Sequence, residues 1–149
     1  VRVLEDDPRF NAGKGAAYNE LEQHELDAAI MDGSTLRCGA VAATRTVKNP
    51  ISLARMVPLH TRHILLMGDG AEEFATAMGV ERVPNSYFDT EFRRKALEEF
   101  REGQRKQKAE LPIDARFSTV GCVALDMQGR LAAATSTSPA AGRASTLLL

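Results

Sequence analysis

The sequence predicts a layered α+β domain, on three observations. Apolar, β-prone runs lie at 24–44 and 119–136, and helix-patterned segments lie between them. A charged, apolar-poor stretch over 101–118 separates the helices from the last strands. Strands grouped with strands and helices with helices fit a layered domain better than an alternating βαβ array. At 149 residues the chain is long enough for a single domain with a substantial core, and it shows no internal repeat.

The elements follow in order. Val1-Arg2-Val3-Leu4 reads like the end of an amphipathic helix, and with no initiator Met the chain reads as starting inside something larger. Phe10-Asn11-Ala12-Gly13-Lys14-Gly15 is a glycine-punctuated loop that turns tightly. His24–Met31 and Arg37–Thr44 read as strands, and Asp32-Gly33-Ser34 between them predicts a hairpin. Asn49-Pro50 starts a helix, with Asn49 as cap and Pro50 at the first position. That helix passes through Leu53 and Met56, and Pro58 ends or bends it.

His63–Met67 reads as a short buried strand. Asp69 and Glu72 form a near capping box for a helix through Phe74 and Ala77, closed by Gly79. A further helix begins near Asp89-Thr90, with Phe92, Ala96 and Phe100 as its apolar stripe. From Arg101 the chain reads as a solvated linker running to Ser118, with Pro112 inside it. Thr119–Asp126 and Leu131–Ser136 are strands around a Met127-Gln128-Gly129 turn. The organisation is thus a first portion over 1–100, the linker over 101–118, and a last portion over 119–149.

Composition narrows the function classes. The chain is 44% hydrophobic and 26% charged with a net charge of −1, so no basic surface marks it for nucleic acid or an anionic membrane. No apolar run approaches a membrane span. The first residues are not a basic region followed by an apolar one, as a secretory signal would be. Cys38 and Cys122 both lie in apolar runs and read as buried small hydrophobes in a reducing, cytoplasmic compartment.

Several familiar motifs fail on inspection. His24-Glu25 lacks the second histidine of a zinc-protease helix, because position 28 is Ala28. His60 and His63 read as surface or capping residues. Gly13-Lys14-Gly15 is not a Walker loop, and Tyr18 stands where a dinucleotide fingerprint has its third glycine. No Gly-x-Ser-x-Gly elbow is present.

Thr119 is the candidate that remains. Taken alone, a threonine at a strand start is a β-former. Its setting differs, because a charged linker stops at Ser118 and a glycine-containing apolar strand starts at Thr119. Cleavage between Ser118 and Thr119 would give Thr119 a free α-amine, which titrates near ~7.7–8.0. That amine can take the hydroxyl proton, so one residue supplies nucleophile and base.

The motifs Phe10–Gly15, His24-Glu25-Leu26-Asp27-Ala28-Ala29-Ile30-Met31-Asp32-Gly33, Lys48-Asn49-Pro50-Ile51-Ser52-Leu53-Ala54-Arg55 and Gly70-Ala71-Glu72-Glu73-Phe74-Ala75 occur in that order. They end in Thr119-Val120-Gly121-Cys122-Val123-Ala124-Leu125-Asp126 and Ala134-Thr135-Ser136-Thr137. Over about Val1 to Thr137 the chain resembles the plant-type L-asparaginase / isoaspartyl peptidase family. The resemblance implies an Ntn-hydrolase αββα sandwich, here incomplete at both termini. It implies autocleavage between Ser118 and Thr119, and α and β subunits that pair into an oligomer. Thr119 matches the nucleophile, Thr137 the threonine that assists it, and Asn11 an asparagine facing the active centre. Backbone carbonyls of Leu4, Glu5, Asp7, Phe10, Ala12 and Lys14 match a structural sodium site, and no organic cofactor is implied. The substrates implied are L-asparagine and β-aspartyl dipeptides.

The chain departs from the family pattern in three places. Ser118 stands where the family has glycine, the permissive residue for a strained scissile bond. After Thr137 the chain reads Ser138-Pro139-Ala140-Ala141-Gly142-Arg143, without the family's Gly-Gly and Gly-Arg-x-Gly-Asp, so no substrate-binding residue is assigned. The family's first strand and helix would precede Val1. Two readings follow: a threonine amidohydrolase, or a shortened homologue that catalyses nothing. A glycosylasparaginase fits less well, since the His-Glu-Leu-Asp-Ala strand and the Asn-Pro-Ile-Ser-Leu-Ala-Arg helix start look like the isoaspartyl branch.

Overall fold

A computed structural model describes residues 1–105 and 119–138. Its elements are α1 (Arg2–Glu5), β1 (Leu26–Asp32), β2 (Arg37–Thr44), α2 (Pro50–His60), β3 (Leu65–Met67), α3 (Gly68–Ala77), α4 (Glu91–Arg105), β4 (Val120–Leu125) and β5 (Leu131–Thr137), with 3-10 turns at Gly13–Gly15 and Asn85–Phe88. The strands form one sheet in the order β3-β2-β1-β5-β4. All neighbours are antiparallel except the β2–β3 pair. The α+β reading therefore holds, with helices and a mixed sheet in separate layers.

One sheet face carries the core. Ala28 and Val41 pack with Val47, Ile51, Leu53, Ala54, Val57 and Ala75, so α2 and α3 lie over β1 and β2. The approach of α2 is close. A Cβ on Gly39 would lie 2.3 Å from both the Ala54 carbonyl oxygen and the Pro58 Cδ. Pro58 does not end the helix, which runs on to His60 with the proline in its last turn. Proline removes the N–H that would have bonded the Ala54 carbonyl, and that carbonyl is pressed onto Gly39 instead. A second cluster, Ala16, Leu26 and Phe88, seals the other end of β1.

The alternate sheet face carries Met31, Leu65, Met67, Val123, Leu125 and Leu131, which are 42–75% exposed. Among the described residues no second sheet covers them. β3 is one of the two edge strands, and its Leu65 and Met67 are exposed, so the buried strand expected at His63–Met67 is instead a short edge.

Several local expectations shift for identifiable reasons. Asn49 is the N-cap residue of α2, but its side chain donates to Asp6 Oδ1. The cap is Glu5, whose Oε1 accepts the Ile51 N–H at 3.0 Å. Glu72 does not close a capping box. It accepts from the Arg45 and Thr46 amides and the Thr46 hydroxyl, and pairs with Arg82, fixing the chain after β2. Asp69 pairs with Arg45. At α4, Thr90 Oγ1 accepts the Arg93 N–H at 3.2 Å, as a helix cap should.

The buried face of α4 is Arg93 and Leu97, and Phe92 is exposed. The helix also takes in residues 101–105, so the charged stretch begins as helix, not linker. Residues 106–118, including Ser118, lie outside the described residues. Cys38 is half-buried and Cys122 exposed, and both are free thiols, so neither is the fully buried small hydrophobe expected. No helix among the described residues is long and apolar enough to cross a membrane.

Candidate active site

The site begins at the ends of two neighbouring strands. β4 and β5 form a hairpin in which Val120 pairs with Ser136 and Cys122 with Ala134. Thr119, one residue before β4, is thereby placed beside Thr137 at the end of β5. Its Oγ1 donates to Thr137 Oγ1 at 2.9 Å. Thr119 is exposed and Thr137 half-buried, so the first hydroxyl is open to an incoming molecule and the second is held behind it.

Asn11 is fixed at the same end. Its Nδ2 donates to the Ser138 carbonyl at 2.8 Å, its Oδ1 accepts the Ala17 N–H at 2.7 Å, and its own carbonyl accepts the Ser138 N–H at 3.1 Å. A carbonyl on one side and an amide on the other fix which way the side-chain amide faces. The loop of residues 10–17 and the end of β5 are thus stitched together within one residue of Thr137. Ser138 is buried, and its hydroxyl donates to the Ala17 carbonyl at 3.2 Å. Of the residues singled out from the sequence, Thr119 and Thr137 touch, and Asn11 bonds Ser138, the residue after Thr137.

Asp27 adds a carboxyl that the sequence reading did not single out. It pairs with Thr137 across β1 and β5, and directly opposed residues share a sheet face. A small hollow of about 230 Å³ is lined by Asp27, Ala29, Ala42, Leu65, Thr135 and Thr137 among others. Burial pushes the Asp27 carboxyl up from its ordinary value; the Ala43 N–H, donated to Oδ1 at 2.8 Å, opposes this, and Glu25 nearby adds to it. Ala43 has φ +54 at the point where the β1–β2 register shifts, so Asp27 also ties down a bulge.

The loop matched to sodium by the resemblance packs backbone carbonyls against its two glycines. Gly13 has φ +54, and a Cβ there would lie 2.2 Å from the Glu5 carbonyl oxygen. A Cβ at Gly15 would lie 2.1 Å from the Phe10 carbonyl oxygen. Only glycine fits at these two positions, where the loop closes onto the Glu5, Pro8 and Phe10 carbonyls. Oxygen donors of this kind suit a hard cation. Among the described residues, no cluster of three His, Cys, Asp or Glu offers a metal site. Glu5 is fully buried, and burial raises its carboxyl, opposed by the Ile51 N–H that it accepts.

Comparison with known proteins places this geometry in context. The family model described as Asparaginase matches residues 1–144. The isoaspartyl peptidase of Escherichia coli (strain K12) is 48% identical over 145 residues, covering 92% of this chain and 44% of the relative. The isoaspartyl peptidase/L-asparaginase of Mus musculus is 48% identical over 137 residues, covering 92% of this chain and 41% of the relative. That of Homo sapiens is 46% identical, with 92% and 44% covered. The chain therefore spans a little over two-fifths of the length of these curated relatives.

Proposed function

The chain belongs to the asparaginase family, and from that premise we propose that Thr119 is the nucleophile of a threonine amidohydrolase acting on L-asparagine or β-aspartyl peptides. The observation that carries the proposal is the 2.9 Å contact between the Thr119 and Thr137 hydroxyls, beside the Asn11–Ser138 stitch.

In this reading the Ser118–Thr119 bond is first cut, and the new α-amine accepts the proton of Thr119 Oγ1. The oxygen attacks the side-chain amide carbon of the substrate. Ammonia, or the amine of a β-aspartyl peptide, leaves with a proton, and an ester to Thr119 remains. Water then hydrolyses the ester, releasing aspartate and restoring the hydroxyl. Thr137 orients Thr119 Oγ1 through the contact described, and Asn11 holds the end of β5 in place. The exposed sheet face of Met31, Val123 and Leu131 is where a second sheet of an αββα sandwich would lie. Cleaved subunits pairing into an oligomer, a sodium ion on the loop carbonyls and a cytoplasmic location belong to the same proposal.

A non-catalytic homologue is the second reading. It is favoured by Ser118 in place of glycine and by the sequence after Thr137. Intact mass after incubation at neutral pH, beside Thr119→Ala, separates the two. Splitting into 1–118 and 119–149 in the parent alone supports the nucleophile, and an uncut parent that releases neither ammonia nor aspartate supports the second reading.

A further inference from the structure

The buried imidazole of His24 has no part in the chemistry above, yet it is wired to the site. The residue is fully buried just before β1, with its ring 4.2 Å from the Tyr18 ring and 6.0 Å from that of Phe88. Its Nδ1 lies 3.2 Å from the Ala17 carbonyl and its Nε2 lies 3.0 Å from Asp89 Oδ1. Both neighbours are acceptors. A neutral imidazole has one donor nitrogen and one acceptor nitrogen, so against the Ala17 carbonyl and an Asp89 carboxylate paired with Arg94 the doubly protonated ring is the form that donates to both. Asp89 supplies the compensating charge, and its other oxygen pairs with Arg94 at 3.1 Å.

The Ala17 peptide is the relay. Its carbonyl takes both the His24 ring and the Ser138 hydroxyl, and its N–H goes to Asn11 Oδ1. We propose that His24 is a positioning residue for this site: an imidazolium clamped between Asp89 and the Ala17 carbonyl that fixes peptide 17, and through it Asn11 and the end of β5 at Thr137. The proposal rests on the reading above only in taking Asn11 and Thr137 as parts of the site. The His24 backbone is held separately, since Asn85 accepts its N–H at 3.0 Å and donates to its carbonyl at 2.9 Å. Changing the ring therefore leaves the start of β1 anchored.

The test is nitrogen-resolved NMR of the ¹⁵N-labelled chain at pH 6.5, with His24→Gln beside it. A glutamine cannot donate to Ala17 and Asp89 from two separated nitrogens. Both His24 ring nitrogens should carry protons in the parent. In the variant, exchange of the Ala17 amide should quicken about tenfold or more, the scale of one lost hydrogen bond from a charged donor. The Val41 and Leu53 amides in the core should be unchanged. A singly protonated ring in the parent, or parent-like exchange at Ala17 in the variant, would overturn the proposal.

If His24→Gln loses core protection, Asp89→Asn takes its place, keeping the shape while removing the charge. Faster exchange at Ala17 with Val41 still protected supports the clamp, and unchanged exchange there sinks it. None of these readouts uses turnover or chain cleavage. Failure of the amidohydrolase reading would appear in the mass and product assays and leave these signals as they are.

Discussion

The hydroxyl proposed to do the chemistry and the groups that hold it in place come from opposite kinds of structure. Residues 11–57 hold most of the fully buried positions, among them Leu26, His24, Val41, Leu53 and Val57. In the β4–β5 hairpin, residues 121–133 are all exposed, and burial returns only at its open end, in Val120 and Ser136. Thr119 sits at that end. The hairpin therefore presents the proposed nucleophile, while the first region supplies the rigidity behind it. A site of this kind tolerates a loosely covered strand if the strand's end is pinned, and Ser138, Asn11 and Ala17 pin it.

Four experiments break or sharpen that contrast. Thr119→Ala should leave the fold intact and abolish both chain cleavage and amide hydrolysis, seen as a single parent mass and no ammonia release. Truncation in the two regions should differ most plainly next. Leu53→Ala, at a fully buried position, should cost about 2–5 kcal/mol. Val123→Ala, at a position 75% exposed, should stay within about 0.5 kcal/mol. Urea titration followed by far-UV circular dichroism reads both, and equal losses would contradict the contrast.

Glycines give a finer version. At Gly39 a methyl group would meet the Ala54 carbonyl and Pro58 at 2.3 Å, so Gly39→Ala should cost about 1–3 kcal/mol. At Gly121 the nearest atoms would be 3.8 Å away, so Gly121→Ala should change the melting temperature little.

The smallest effect is the pH response of Asp27. Its folded carboxyl is raised by burial, so the fold favours the protonated form. That contribution is fully present below the ordinary carboxylate value of about 3.9 and is lost as pH rises through the raised folded value. Asp27→Asn should remove this slope between acid and neutral pH, measured as melting temperature against pH. A variant with the parent's slope would show that the carboxyl titrates as if exposed.

How much of this was legible from residues alone follows from distance along the chain. Both hairpins and the helix starts at Asn49-Pro50 and near Asp89-Thr90 rest on neighbouring residues, and the sequence shows them. Glu5 capping α2 from 46 residues away is not legible, since any acidic residue would look the same. Asp27 facing Thr137 depends on the register of strands far apart in sequence, and alternation within either strand does not reveal it. The apolar stripe of α4 predicts Phe92 as its anchor. The buried place belongs to Arg93, whose Nε donates to the Gly15 carbonyl at 2.6 Å, a partner no hydrophobic pattern announces. The motifs single out Thr119, Thr137 and Asn11, and only the structure shows the Thr119–Thr137 contact and the bonds from Asn11 to Ser138 and Ala17.

The strand order has a consequence for connectivity. β1, from the first region, lies between β2 and β5, and six successive positions from Asp27 to Asp32 pair with β5. The sheet is thus woven across the 118–119 bond. Scission there would sever the covalent path and leave the hairpin laced to its neighbour by a full backbone ladder. Two separately made polypeptides broken at that point should therefore find each other by fragment complementation, with β5 as the strand that restores the whole.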